Sequence, residues 1–228
     1  MSQEKKEIDE LDKVNAALSN SEQFIQKYQK PILLVVLAIV IVVSAAIAIH
    51  HFYALPREEK AEAEMFKGVF YFEKDSFQLA IDGNGSDFVG FKAIADDYSS
   101  SNAGNLAAAY TGISLYNLGK YDEAIDYLKK FDADEEYIAP SIIGTIGDCY
   151  VNMDKLDDAI GYFEKAAKKA DNEVLSPIYL KKAATVFEKQ NKYDKALKAY
   201  QTIKEKYPKS VMARDIDKYI DRAEAKTK

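Results

Sequence analysis

Hydrophobic positions follow two patterns along this chain. From Ile32 to Ile49 they form one unbroken run, ILLVVLAIVIVVSAAIAI, with no charge and a single hydroxyl at Ser44. Beyond Arg57 they recur every three or four residues among Lys, Glu and Asp, as on amphipathic helices. At about 1.5 Å per residue the run covers roughly 27 Å as a helix, and its uncharged flanks, Pro31 to Tyr53, extend it to about 35 Å. One transmembrane helix over 31–53 is expected. Lys27, Tyr28 and Lys30 on one side, and Phe52, Tyr53 and Arg57 on the other, suit the two interfaces. A cleaved signal peptide has a shorter apolar stretch, roughly 7 to 15 residues, behind a basic start. Here six acids precede the run, so retention as an anchor is expected.

The amphipathic remainder repeats itself. GISLYNLGKYDEAIDYL from Gly112, GDCYVNMDKLDDAIGYF from Gly147 and ATVFEKQNKYDKALKAY from Ala184 superpose with Ala124, Ala159 and Ala196 in register. The spacing is close to the period of about 34 residues of tetratricopeptide (TPR) helical hairpins. A small residue (Gly112, Gly147, Ala184) followed three positions later by a bulky one (Leu115, Tyr150, Phe187) predicts a closely packed first helix. Gly119, Asp154 and Asn191 are types that tolerate the left-handed conformation of a tight reversal. Tyr121, Leu156 and Tyr193 precede an acid (Asp122, Asp157, Asp194) suited to the amino terminus of a second helix by capping or dipole. The aligned alanines then let that helix nest on the first, with Leu128, Phe163 and Tyr200 one turn further along. Tyr207-Pro208 closes the third unit.

Three stacked hairpins over 105–208 follow from this pattern. Upstream, Glu58 to Ala80 reads as helix with Met65, Phe66, Val69, Phe70 and Phe77 buried; Asp82–Asp87 (DGNGSD) breaks it and Phe88 to Tyr98 resumes it. Residues 54–104 are therefore a linker and degenerate hairpin. Downstream, Ile216, Tyr219, Ile220 and Ala223 on one face of Val211 to Ala225 predict a capping helix within 209–228. The expected fold class is all-α: a single transmembrane helix, then a TPR superhelix of stacked hairpins with a C-terminal capping helix. In the tail 1–30, Ile8, Leu11, Val14, Leu18 and Ile25 fit either an amphipathic helix or a frayed charged tail interrupted at Ser19–Ser21. Lys13, Lys27 and Lys30 balance Arg57, Lys60 and Lys67, so charge only weakly favours a cytoplasmic amino terminus.

Composition narrows the chemistry. Charged residues at 30% exclude a polytopic membrane protein, and 10 Gly with 5 Pro favour helices. The net charge of −6, from interspersed signs, provides no field for nucleic acid. Cys149 stands alone and reads as a small buried hydrophobe; His50 and His51 read as interfacial filler. No nucleophile–base set, phosphate loop or metal-ligand cluster is present, so no enzyme activity, cofactor or small-molecule substrate is expected. DGNGSD lacks the closing glutamate of a calcium loop, Ala93 standing at the twelfth position.

The anchor followed by FQLAIDGNGSDFVGFKAIADDY and NAGNLAAAYTGISLYNLGKYDEAIDYL resembles the YfgM-like family of bacterial TPR proteins, ancillary subunits of the Sec translocon. The match runs from the anchor to the carboxy terminus and is weakest before Pro31. It implies an inner-membrane protein with its repeats in the periplasm, in contact with the translocon and with periplasmic chaperones or unfolded clients. It implies no catalytic residues. Ala184 and Thr111 depart from the usual glycine and leucine, which puts the partners in doubt. The alternative is a general envelope-assembly adaptor unconnected with secretion, for which a cytoplasmic orientation is also open.

Partner-binding candidates lie on the first helices, which line the concave side of such stacks. They are Leu106, Ile113, Tyr116 and Asn117, then Asp148, Val151 and Asn152, then Lys181, Thr185, Glu188 and Lys189. Asn117 and Asn152, in register, could grip a peptide backbone. Leu106, Ile113 and Tyr116 form either an apolar patch for a partner or a surface buried beneath the upstream hairpin. Ala109 and Ile113 stand where TPR domains resembling carboxylate clamps carry lysine and asparagine, which disfavours that role. Arg214, Lys218, Arg222 and Lys226 read as a solvated face paired with Asp217 and Asp221.

Overall fold

A computed structural model describes residues 27–132 and 134–227, and the apolar pattern between Ile8 and Ile25 lies outside them. The chain divides into two units, Met1–Pro56 and Arg57–Lys228. In the first, helix α1 (27–49) is exposed throughout and passes into a π-helical turn, His50–Ala54. The helix that begins at Lys27 is long and apolar enough to cross a membrane. The π-turn has a local cause. Pro56 has no N–H to return to Phe52 and its ring crowds that carbonyl, so the preceding turn widens and the Leu55 N–H bonds His50 O instead.

The described secondary structure of the second unit consists of helices, the first of them starting at the boundary between the units: α2 (Leu55–Glu73), α3 (Phe77–Asp82), α4 (Phe91–Asp97), α5 (Asn102–Asn117), α6 (Tyr121–Leu128), α7 (Ile138–Asn152), α8 (Leu156–Ala170), α9 (Leu175–Lys189), α10 (Tyr193–Lys206), a 3-10 turn (Val211–Asp215) and α11 (Asp217–Thr227). The hairpins are α5/α6, α7/α8 and α9/α10. Their reversals fall where expected, with Gly119, Asp154 and Asn191 at φ of 75°, 57° and 58°.

Within each hairpin a small residue admits a large one. A Cβ on Gly112 would sit 2.5 Å from Leu128 Cγ, and one on Gly147 would sit 2.6 Å from Phe163 Cε1. In the third unit Ala184 and Tyr200 hold the same places, both fully buried. Ala124, Ala159 and Ala196 are also fully buried. The hairpins then stack through α7, whose Ile142, Ile146 and Cys149 join the upstream core while Ile143, Tyr150 and Val151 pack on the downstream one. Asp122, Asp157 and Asp194 lie in the first turns of α6, α8 and α10 and act through the dipole, since no side chain caps these helices. Asp122 and Asp157 also reach Lys155 and Lys192 of the next hairpin, at 3.8 and 3.0 Å. These exposed pairs mark register more than they add stability.

Three upstream expectations are corrected. The helix from Glu58 to Ala80 is broken by Asp75, at φ 53°, into α2 and α3. Phe66 and Phe70 are exposed, at 83% and 53%, because α2 turns Ala61, Met65 and Gly68 inward. Gly68 decides this, since even a Cβ there would lie 2.3 Å from Phe91 Cε1. Helix resumes at Phe91, not Phe88; Asn84 Oδ1 accepts the Ser86, Asp87 and Phe88 amides and holds the intervening loop. The Glu58 carboxylate accepts the Asn102 and Ala103 amides, both at 2.8 Å, so α2 caps the start of α5.

Two glycines should respond oppositely to a side chain. Gly112→Val brings a β-carbon against Leu128, including its backbone nitrogen at 3.0 Å, and should cost about 1–3 kcal/mol. Gly161→Ala, on the exposed face of α8 with nothing within 4 Å of the added carbon, should add about 0.5–1 kcal/mol. Urea unfolding of the detergent-solubilised chain, followed by circular dichroism, reads both.

Candidate functional site

First helices α7 and α9, with the 3-10 turn, enclose a cleft of about 360 Å³ floored by Phe163. Asp148 and Val151 line it from α7, Ile178, Lys181 and Thr185 from α9, and Met212 from the 3-10 turn. Lys182 Nζ donates to both Asp148 oxygens, at 2.8 and 2.6 Å, and crosses the Phe163 and Tyr179 rings at 5.5 and 5.9 Å. That pair holds one wall to the other. Lys181 rests over Tyr219 at 4.3 Å, and its ammonium holds the Tyr219 phenol below its ordinary value. The cleft is thus apolar between its walls and charged at its rim, a form suited to a peptide side chain.

The sequence candidates fall into separate groups. Asp148, Val151, Lys181 and Thr185 meet at the cleft. Tyr116 lies near Asp148 and Asn152 across the first and second units; burial pushes its phenol up, Asp148 adds to the rise, and Asn152 opposes it. Leu106 is exposed, whereas Ile113 is half-buried against the upstream core. Glu188 belongs to the seam with α11, where Oε2 accepts from Arg222 at 2.6 Å and Oε1 is buried without a partner. The Tyr200 hydroxyl is also buried there without a hydrogen bond; burial, then the Glu188 charge, raise its pKa. Lys189 is tied to Asp154 at 2.8 Å.

The two register asparagines spend a donor on their own helix. Asn117 Nδ2 bonds Ile113 O at 2.8 Å and Asn152 Nδ2 bonds Asp148 O at 2.9 Å; Thr185 Oγ1 does the same to Lys181 O. Asn117 keeps its oxygen and one N–H for a ligand, whereas Asn152 is also engaged by the Tyr116 hydroxyl. The basic stripe is solvated, but with different partners from those expected: Lys218 pairs with Asp215 and Arg222 with Glu188, while Asp217 takes Lys204.

Sequence reasoning missed Ile178, Lys182 and Met212. Ile178 was within reach, because it holds in the third unit the place of Leu106 in the first. Met212 was not, since Ser210 starts a 3-10 turn by accepting the Ala213 amide at 3.1 Å, and only that turn carries Met212 to the cleft. Among the described residues no group of three His, Cys, Asp or Glu could hold a metal.

Residues 110–133, 140–168 and 182–210 each match the tetratricopeptide repeat. The chain is a TPR protein, built as a protein-interaction scaffold. It is similar to a crystal structure of MamA protein with a TM-score of 0.52 at 18% identity, covering 74% of this chain and 88% of that one. A second MamA crystal structure matches with a TM-score of 0.50 at 20% identity, covering 70% and 94%. These likenesses establish a shared fold. No curated protein matches in sequence.

Cys149 provides a probe of this packing. It is fully buried, and burial, reinforced by the Asp148 charge, pushes its thiol up to about 12. Only the thiolate attacks a disulfide reagent, displacing its aromatic thiolate, so the native chain should resist such a reagent at mildly alkaline pH and react fully once unfolded. Rapid native labelling, read by absorbance, would contradict the buried position.

Proposed function

We propose that the chain is a single-pass scaffold of the bacterial inner membrane, its amino terminus cytoplasmic and its repeats in the periplasm. There it links the Sec translocon to periplasmic chaperones or unfolded clients through the first-helix face. The apolar cleft between Asp148, Val151, Thr185 and Met212 carries this reading, because it offers a seat for an exposed hydrophobic side chain. The apolar helix from Lys27 and the sequence resemblance to YfgM-like proteins support the membrane and secretion parts. The Lys182–Asp148 pair keeps the seat open by fixing α9 on α7.

Two measurements test the reading. A dual reporter fused after Lys228 should be active in the periplasm; activity only in the cytoplasm would instead favour the general adaptor facing that compartment. Photo-crosslinkers at Val151 and Thr185 should capture translocon subunits, chaperones or nascent secretory chains, and Met212→Asp should reduce capture at least about tenfold by charging the apolar seat. Capture confined to proteins unconnected with secretion would overturn the link.

A further inference from the structure

The second helices carry a different groove. Its walls are α8, with Ile160, Gly161 and Glu164, and α10, with Lys195, Lys198 and Thr202; Leu180 and Phe187 of α9 form its floor. This cavity of about 540 Å³ shares Glu164, Leu180 and Thr202 with another of about 340 Å³, bounded by Lys168, Asp171, Lys206 and Tyr207. Together they follow α8 from Asp157 to Asp171, about 21 Å at the helical rise.

Charge and helix chemistry single this groove out. Five lysines line it against three acids, in a chain whose net charge is −6. Asp157 is taken by Lys192 at 3.0 Å, and Asp171 accepts from the Tyr207 hydroxyl at 3.3 Å. Lys168, Lys195, Lys198 and Lys206 have no ion pair of their own among the described residues. Gly161 is the second observation. It sits in mid-helix, where glycine is a poor helix former, and nothing lies within 4 Å of where its β-carbon would be. The same position carries Asp126 and Lys198 in the other units. No contact inside the fold calls for the missing side chain, but its absence opens one wall of the groove.

We infer that this groove receives an acidic amphipathic helix of a partner protein, its apolar stripe on Leu180 and Phe187 and its Asp and Glu flanks against the four lysines. A trough about 21 Å long holds roughly fourteen helical residues. The apolar floor favours a peptide over a polyanion, which would need lysines alone. This site is independent of the first-helix cleft and of which compartment holds the repeats.

The probe is a fluorescein-labelled 14-residue helical peptide with Leu at three- and four-residue spacing and Glu elsewhere. Titrated into the detergent-solubilised full chain and read by anisotropy, it should bind, weakening as salt rises. A Lys-for-Glu version, and a scramble that destroys the stripe, should each bind at least about tenfold more weakly. K195E/K198E should cost at least about tenfold, and Gly161→Leu, whose β-carbon would have nothing within 4 Å and whose residue type favours helix, should cost as much by filling the groove. Val151→Asp, in the other cleft, should leave binding unchanged. Equal binding of the Glu and Lys peptides, or of the scramble, would overturn the inference. So would no binding, indifference to K195E/K198E and Gly161→Leu, loss only in Val151→Asp, or a single-stranded oligonucleotide bound as tightly as the Glu peptide.

Discussion

A small residue, glycine or alanine, at one position per hairpin governs the rest of this fold. Where Gly112 and Gly147 face Leu128 and Phe163, the helices approach until a single β-carbon would overlap the opposing side chain. Dispersion falls steeply with separation, so this approach turns ordinary hydrophobic helices into a seam of definite register. The third hairpin uses Ala184 against Tyr200 and buries both completely. Alanines at Ala124, Ala159 and Ala196 extend each seam.

Definite seams produce the surfaces between them. Because α7 gives one side to the upstream core and the other to the downstream core, hairpins follow one another without a break in packing. Side chains that do not fit a seam are left facing two kinds of groove. Between first helices lies the apolar cleft braced by Asp148 and Lys182; between second helices lies the lysine-rimmed trough over Leu180 and Phe187. Both are bounded by residues far apart in sequence, 64 positions between Asp148 and Met212 in the cleft and 50 between Asp157 and Tyr207 in the trough, brought together by the stacking of the hairpins. Such surfaces suit partners that present helices or short apolar segments.

What could be read in advance follows from the range of the interactions involved. Gly119, Asp154 and Asn191 adopt left-handed backbones for reasons contained in their own turns, and the recurring Gly/Leu and Gly/Phe partners announce themselves by period. Phe66 and Phe70 misled because an apolar pair four residues apart looks the same whichever side of α2 is covered; the deciding contact, Gly68 on Phe91, spans the loop and leaves no periodic trace. Part of the cleft was legible, through Asp148, Val151, Lys181 and Thr185. Lys182 was not, since its role depends on a carboxylate 34 residues away, and Met212 depends on a capped 3-10 turn in place of the expected continuous helix.

The interlock itself can be measured by a double-mutant cycle at Gly147 and Phe163 in the full chain. Gly147→Ala adds the overlapping carbon and Phe163→Leu removes the ring atoms it meets, so the second change should relieve the first. The double variant is expected to be more stable than the sum of the single losses by more than about 0.5 kcal/mol. Losses that simply add would mean that close approach between paired helices does not hold this stack together.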